Sequence, residues 1–112
     1  MRPGDGDAAN LHDMLEVAQE ARELVADIQV KPFLLDRVRV LERMLELIGE
    51  AARRVAPERR HTDPEIQWRR LIGQRNILAR EYGRINPRVL YQTAREDMTS
   101  LIAALERILP RA

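Results

Sequence analysis

The sequence has 112 residues, of which 45% are apolar, and its 19 basic and 18 acidic side chains leave a formal net charge of +1. A chain of this length forms one domain, and the absence of cysteine excludes disulfides, thiolate catalysis and cysteine-ligated zinc. It contains neither an apolar run long enough to span a membrane nor the apolar core of a signal peptide. We therefore expect a cytoplasmic protein that does not contact a membrane.

The apolar residues favour an all-α fold. The sequence contains four aromatic residues, Phe33, Trp68, Tyr82 and Tyr91. A core must therefore be built from Leu, Ile, Val, Ala and Met, which suits packed helices better than a sheet.

The charges are unevenly spread along the chain. Residues 1–50 carry 6 basic and 11 acidic side chains, whereas residues 51–112 carry 13 basic and 7 acidic ones. Eighteen of the basic residues are arginine and one is lysine, and the planar guanidinium group matches phosphate. This pattern indicates a phosphate-bearing partner, unless the two halves neutralise each other within the fold or across a dimer.

The first half of the chain predicts two helices. Residues 1–9 are predicted to be a flexible N-terminus, and residues 10–112 a single helical domain. Apolar residues recur at helical spacing from Asn10, a candidate N-cap, to about Val30. Pro32 then separates a long second helix, which ends near residue 57.

The second half predicts two more helices. After a connection rich in proline and charge, a third helix begins between Pro64 and Trp68 and stops at Gly83. Asn86, as N-cap, opens a fourth helix that continues to about Leu109. Four helices with short connections predict an up-down four-helix bundle.

Two glycines lie inside predicted helices, where glycine costs about 1 kcal/mol relative to alanine. Gly49 and Gly73 are each expected to allow close approach of a neighbouring backbone, unless glycine is simply tolerated there.

The stretch RNILAREY, residues 75–82, contains the candidate functional residues. At 100° per residue, Arg75 and Tyr82 lie within about 20° of each other, whereas Arg80 lies about 140° from Arg75. One straight helix cannot direct all three at one point, so a distorted helix end or a symmetric homodimer is needed. Without either, the three residues would serve packing and solvation.

Three segments resemble one protein family: LERMLELIGEAARRV, PEIQWRRLIGQRNILAREYGRINPRVLY and EDMTSLIAALERIL. From Val40 onward the chain is similar to HEPN-domain proteins of the HepT type. Their signature is arginine, four residues beginning with a polar one, histidine, any residue and tyrosine. It falls on Arg75, Asn76, Arg80 and Tyr82, with Arg80 in the histidine position.

The resemblance implies a HEPN-like homodimer that cuts RNA without a metal ion or other cofactor, as the toxin of a toxin–antitoxin system. It implies catalytic roles for Arg75, Arg80 and Tyr82, and RNA phosphate binding by Arg75, Asn76, Arg80 and Arg84. The implied partner is a nucleotidyltransferase antitoxin that attaches AMP to Tyr82. Independently, no histidine or carboxylate cluster near the motif has metal-ligand spacing.

Arg80 departs from the signature in a way that affects the chemistry. Arginine stays protonated at physiological pH and cannot act as a base. Three explanations stay open. The substitution was introduced to make a lethal toxin expressible, it is a natural weakened or inactive form, or another group such as His12 or His61 takes over the role of the signature histidine. The sequence thus supports a weakened or inactive ribonuclease toxin, or alternatively a non-catalytic module that dimerises and binds its antitoxin.

Further arginines flank the motif. Arg69, Arg70, Arg84 and Arg88 extend its positive charge and would attract RNA or an acidic surface of the antitoxin. Because the motif residues point to different sides of the third helix, we expect a two-fold interface that involves the third and fourth helices.

Overall fold

A computed structural model describes residues 5–81 and 83–109, without the side chain of residue 5. This part of the chain is helical and contains no strand, which confirms the predicted all-α fold. Seven α-helices and one π-helical segment follow one another in the order α1 Asp5–Ala26, α2 Val30–Asp36, α3 Val38–Arg54, α4 Pro57–Thr62, α5 Trp68–Arg80, α6 Pro87–Gln92, the π-helical segment Thr93–Asp97 and α7 Met98–Ile108.

The predicted second helix is divided into α2 and α3 at Arg37. Arg37 has a φ of −107° and caps both helices. Its N–H donates to Phe33 O of α2 at 3.1 Å, and its O accepts from Leu41 N–H of α3 at 3.1 Å, so this residue connects the two helices. Arg37 Nη1 also donates to Leu24 O at 2.8 Å. This hydrogen bond joins the α2–α3 junction to the last turns of α1.

The predicted connection between the second and third helices contains α4. Pro57 occupies the first turn of α4, where its missing N–H has no helical partner to lose. Thr62 Oγ1 donates to Arg59 O at 2.7 Å near the end of the helix. High proline and charge content predicts a connection here, but the same composition also suits a short helix without buried residues.

Helix α3 lies at the centre of the structure and packs against both α1 and α5, while α1 also packs against α7. One apolar core joins these helices and includes Phe33, Leu41, Leu45, Ile48, Leu90, Met98 and Leu105, each at most 1% exposed. The core is almost entirely aliphatic, as the composition predicted. No helix in the described residues is long and apolar enough to cross a membrane.

Helix α1 begins at Asp5, so Asn10 lies inside the helix and the predicted N-cap was wrong. The side chain of Asp7 accepts a hydrogen bond from the backbone N–H of Ala56 at 2.9 Å. This contact joins the first turn of α1 to the α3–α4 junction. The flexibility of residues 1–9 stays a prediction.

The last predicted helix consists of α6, the π-helical segment and α7. The side chain of Asn86 accepts a hydrogen bond from Arg88 N–H at 2.9 Å, which confirms Asn86 as the N-cap. Within the π-helical segment, Thr93 is buried and its Oγ1 donates to Val89 O at 2.9 Å. The widened turn lies against α1 and thus belongs to the packed interior.

Candidate functional site

The candidate residues lie on α5 and just beyond its C-terminus. Helix α5 ends at Arg80, whose positive charge in the last turn suits the negative end of the helix dipole. Gly83 has a φ of 77°, which favours glycine, and turns the chain toward α6. Tyr82 lies outside the described residues, so its predicted roles in catalysis and modification stay predictions.

Arg75 lies where α5 approaches α3 most closely. A Cβ atom on Gly49 of α3 would overlap Cβ of Arg75 and lie 2.6 Å from Leu71 O. Glycine is therefore required for this approach, as predicted for Gly49. Gly73 differs, because a Cβ atom there would meet nothing within 4 Å.

Glu50 holds the guanidinium group of Arg75 from the neighbouring helix. Its Oε2 lies 3.1 Å from Arg75 Nε. The Nε atom is buried, but its N–H does not point at the oxygen, so the contact is an ion pair without a hydrogen bond. The Arg75 side chain is 27% exposed, so part of it still reaches solvent.

Two arginines of α3 also contact Glu50. Arg53 Nη2 donates to Glu50 Oε1 at 2.7 Å, and Arg54 Nε lies 3.3 Å from the same oxygen. The hydrogen bond from Arg53 lowers the pKa of Glu50 most, and the positive charges of Arg53, Arg75 and Arg54 add to this effect against an opposing contribution from burial. Glu50 thus stays ionised beside Arg75.

Arg75 and Asn76 are joined by a hydrogen bond but line different depressions. Arg75 Nη1 donates to Asn76 Oδ1 at 3.1 Å. Arg75 lines a cleft between α1, α3 and α5, which we call the acidic cleft because Asp13, Glu16, Glu46 and Glu50 also line it. Asn76 lines an open groove between α4 and α5, which we call the α4–α5 groove; its charged or titratable lining residues are Arg60, His61, Arg69 and Arg70.

Arg80 and Arg84 are exposed, and in the part of the chain that the structure describes neither forms a hydrogen bond or ion pair with Arg75. Arg84 forms an ion pair with Glu81 at 2.6 Å, so part of its charge is offset. Within the described residues, Arg80 lines neither the acidic cleft nor the α4–α5 groove. The single chain therefore brings Arg75 and Asn76 together and leaves Arg80 separate, in keeping with the angles predicted for a straight helix.

The two histidines occupy different surfaces. His12 is exposed on α1. His61, also exposed, lines the α4–α5 groove together with Asn76. Trp68 is 8% exposed and its Nε1–H donates to Asp63 O at 3.0 Å, so Trp68 belongs to the core. No three His, Asp or Glu side chains among the described residues are grouped closely enough to hold a metal ion.

Glu50 is the site residue that sequence reasoning missed. It directly follows Gly49 in the stretch ELIGEAA, and that glycine was expected to face a neighbouring helix. The available signal was a carboxylate directly after a glycine that is predicted to face a neighbouring helix. Its pairing with Arg75 could not be read from the sequence, because the two residues lie on different helices.

Comparison with known proteins identifies the family of this chain. The family model described as "Ribonuclease HepT-like" matches residues 14–108. The chain belongs to the HepT-like ribonuclease family. No solved structure matches it.

Similar proteins come from archaea and bacteria. The chain is 32% identical over 100 residues to "Putative RNase MJ1380" of Methanocaldococcus jannaschii, covering 88% of this chain and 92% of that protein. It is also 32% identical over 100 residues to "Probable ribonuclease HepT" of Thermococcus cleftensis, covering 88% and 91%. It is 29% identical over 103 residues to "Putative RNase TTE0752" of Caldanaerobacter subterraneus subsp. tengcongensis, covering 90% and 92%.

Proposed function

We propose that this chain is the toxin of a toxin–antitoxin system, a homodimeric ribonuclease that needs no metal ion and whose activity is weakened by Arg80. The carrying observation is the arrangement of Arg75 and Asn76 on α5 of a HepT-like ribonuclease, with Arg80 in the position of the signature histidine. Cleavage would occur at the RNA backbone, and Tyr82 would complete the site.

The proposed reaction attacks a phosphodiester through the neighbouring 2′-hydroxyl. The 2′-oxygen bonds to phosphorus, the bond from phosphorus to the 5′-oxygen breaks, and one proton must leave the 2′-hydroxyl while another reaches the leaving oxygen. Arg75 would stabilise the negative charge of the pentacovalent phosphate. Proton transfer contributes about 10²–10⁴-fold to such reactions, and an arginine at position 80 does not supply it.

The ion pair with Glu50 supports a role for Arg75 in charge stabilisation. A guanidinium group held by a carboxylate loses less conformational freedom when it binds phosphate. The Arg75 side chain is 27% exposed, which leaves room for contact with a phosphate.

Homodimerisation would complete the site. Arg75 faces the acidic cleft and Arg80 lies on another side of α5, so a second copy offers a simple way to place both groups against one phosphate. The proposed interface involves α5 and the helices that follow it. Light scattering that gives a monomer at micromolar concentration would remove this part of the proposal.

The proposed partner is a nucleotidyltransferase antitoxin in the cytoplasm that attaches AMP to Tyr82. Added AMP would place a negative charge and a bulky base at the RNA site. Mass spectrometry of protein produced with a candidate nucleotidyltransferase would detect the modification, and Tyr82→Phe is the control. Modification that persists in the phenylalanine variant would assign the AMP to another residue.

A non-catalytic module that dimerises and binds the antitoxin is the second candidate. Arg80 favours this alternative, because the histidine it replaces would be the proton-transferring group. In such a module, Arg75 and Asn76 would serve recognition only.

Reversion of Arg80 separates the two candidates. We expect Arg80→His to cleave RNA in the presence of a chelator at least about 100-fold faster than the unmodified chain, since it would restore proton transfer. The double variant Arg75→Gln with Arg80→His is the control and should lose this gain. If neither the unmodified nor the reverted chain cuts any RNA, the binding module is the better description.

A further inference from the structure

The α4–α5 groove is the larger of the two depressions beside the motif, with a volume of about 980 Å³. It begins at α4, where Arg60 and His61 line it, and continues along α5 past Arg69 to Asn76. Trp68 and Ile72 contribute apolar surface to its walls. The groove therefore leads from a basic entrance to one of the signature residues.

The charge of the groove distinguishes it from the acidic cleft. Among the described residues, three arginines and a histidine line the groove and no Asp or Glu does. The acidic cleft is lined by four carboxylates and three arginines. A polyanion is attracted by the first surface and repelled by part of the second.

The arginines of the groove differ in how they are held. Arg60 Nε donates to Val55 O at 3.2 Å, which anchors the side chain without neutralising it. Within the described part of the chain, Arg69 forms no ion pair, whereas Arg70 lies 3.0 Å from Asp97. Arg60 and Arg69 are thus the two groove arginines whose charge is not offset by a described carboxylate.

Gly73 leaves the floor of the groove open. It lines the groove, and a Cβ atom on it would meet nothing within 4 Å, so packing within the described chain does not require glycine there. Its presence in a helix interior still costs about 1 kcal/mol relative to alanine. An open floor lets an external backbone approach α5 closely.

Helical spacing connects the groove to the rest of the motif. Arg69, Gly73, Asn76 and Arg80 recur on one face of α5, at intervals of three or four residues. From Arg69 to Arg80 this face is about 16 Å long. Arg69, Asn76 and Arg80 supply side-chain hydrogen-bond donors along this face, which suits a phosphate backbone.

We infer that the α4–α5 groove is the path by which single-stranded RNA reaches the motif, with Arg60 and Arg69 contacting phosphates. The inference rests on the proposed function and adds to it the side from which the substrate enters. Bound RNA would contact α4 first, follow the open face of α5 and meet Asn76 before it reaches the signature position 80.

The test measures binding of a fluorescently labelled single-stranded RNA by anisotropy at several salt concentrations. The groove variant is Arg60→Gln with Arg69→Gln. The control is Arg22→Gln with Arg107→Gln, which removes the same charge from α1 and α7. Each lost phosphate contact lowers the slope of log affinity against log salt by about 0.7 for single strands.

We expect the groove variant to lower this slope by about 1.4. With the affinities of the two proteins taken as equal at 1 M salt, the groove variant should bind RNA about 25-fold more weakly than the unmodified chain at 0.1 M salt. The control should change both values far less. RNA should also change the fluorescence of Trp68, the single tryptophan of the chain, in the unmodified protein and the control. Circular dichroism verifies that both variants fold.

Three results would overturn the inference. Equal losses in the two variants would mean that only net charge matters. Loss of binding in Arg75→Gln alone, with the groove variant unaffected, would move the RNA to the acidic cleft and leave the proposed function intact. A groove variant with unchanged RNA affinity but altered oligomeric state would assign the groove to an interface between copies. The proposed ribonuclease function fails through a different result: the Arg80→His variant would cut no RNA.

Discussion

Gly49 on α3 lies directly against Arg75 on α5, and the contact leaves no space for a side chain at position 49. The same contact places Glu50, the next residue on α3, beside the Arg75 guanidinium group. Packing of two helices and orientation of a candidate site residue thus depend on one glycine.

The two helix glycines should respond oppositely to alanine. In Gly49→Ala, the new Cβ would overlap Arg75 and approach Leu71 O to 2.6 Å, so α3 and α5 must separate and the free energy of unfolding should fall by about 1–3 kcal/mol. In Gly73→Ala, the Cβ meets nothing, and stability should rise by about 1 kcal/mol. Urea unfolding of both variants checks this. A destabilised Gly73→Ala would reveal a contact that a single copy of the chain lacks.

Glu50→Gln should make stability less dependent on pH in the acid range. The lowered pKa of Glu50, due first to the hydrogen bond from Arg53, means that the unfolded chain binds the proton more tightly than the folded one. The stabilisation is therefore present above the ordinary carboxyl pKa and is lost as pH falls through the folded value. The unmodified chain should lose more stability than Glu50→Gln on going from neutral pH to about pH 3.

Unfolding curves at several pH values measure this difference. Glu20→Gln, at an exposed position on α1, is the matched control and should follow the unmodified chain. At neutral pH, Glu50→Gln should also be less stable, because the buried Arg75 Nε loses its counter-charge. Parallel pH profiles for the unmodified chain and Glu50→Gln would contradict the role assigned to this carboxylate.

Tyr91→Phe should cost about 1 kcal/mol of stability. The hydroxyl group donates to Ile28 O at 2.6 Å and accepts from Arg95 Nη1 at 2.8 Å, so it connects the α1–α2 loop to α6 and the π-helical segment. Phenylalanine keeps the ring contact with Phe33, whose centroid lies 5.1 Å away. Chemical denaturation measures the loss, and Tyr91→Leu, which also removes the ring, should be clearly worse. Equal losses in the two variants would mean that the ring contributes nothing.

Asp7→Ala should expose the α3–α4 junction. The backbone N–H of Ala56 donates to the Asp7 carboxylate at 2.9 Å, and its loss should cost about 1 kcal/mol. Amide hydrogen exchange at Ala56 should become faster, whereas Asp7→Asn, which keeps an acceptor oxygen, should exchange at nearly the unmodified rate. Unchanged exchange in Asp7→Ala would indicate that the first turn of α1 is detached in solution, in line with the predicted flexible N-terminus.

Local signals in the sequence were enough to predict several features. The helical spacing of apolar residues predicted an all-α chain, and Asn86 followed by Pro87 predicted a helix start that the structure confirms. These features depend on neighbours within one or two turns. The sequence did not predict the interruptions of the second and fourth helices. The α2–α3 junction at Arg37 and the π-helical segment both contact α1, which is distant in the sequence.

The sequence from Val40 onward determined by itself which family the chain resembles, and RNILAREY within it determined which position lacks the expected histidine. It also determined that a straight helix separates Arg75 from Arg80, because the angle between them follows from helical geometry alone. Only the tertiary structure decided that Glu50 pairs with Arg75 and that Asn76 shares a groove with Arg60 and His61. Such pairings depend on the rotation and axial position of one helix relative to another, which the whole core sets through close packing.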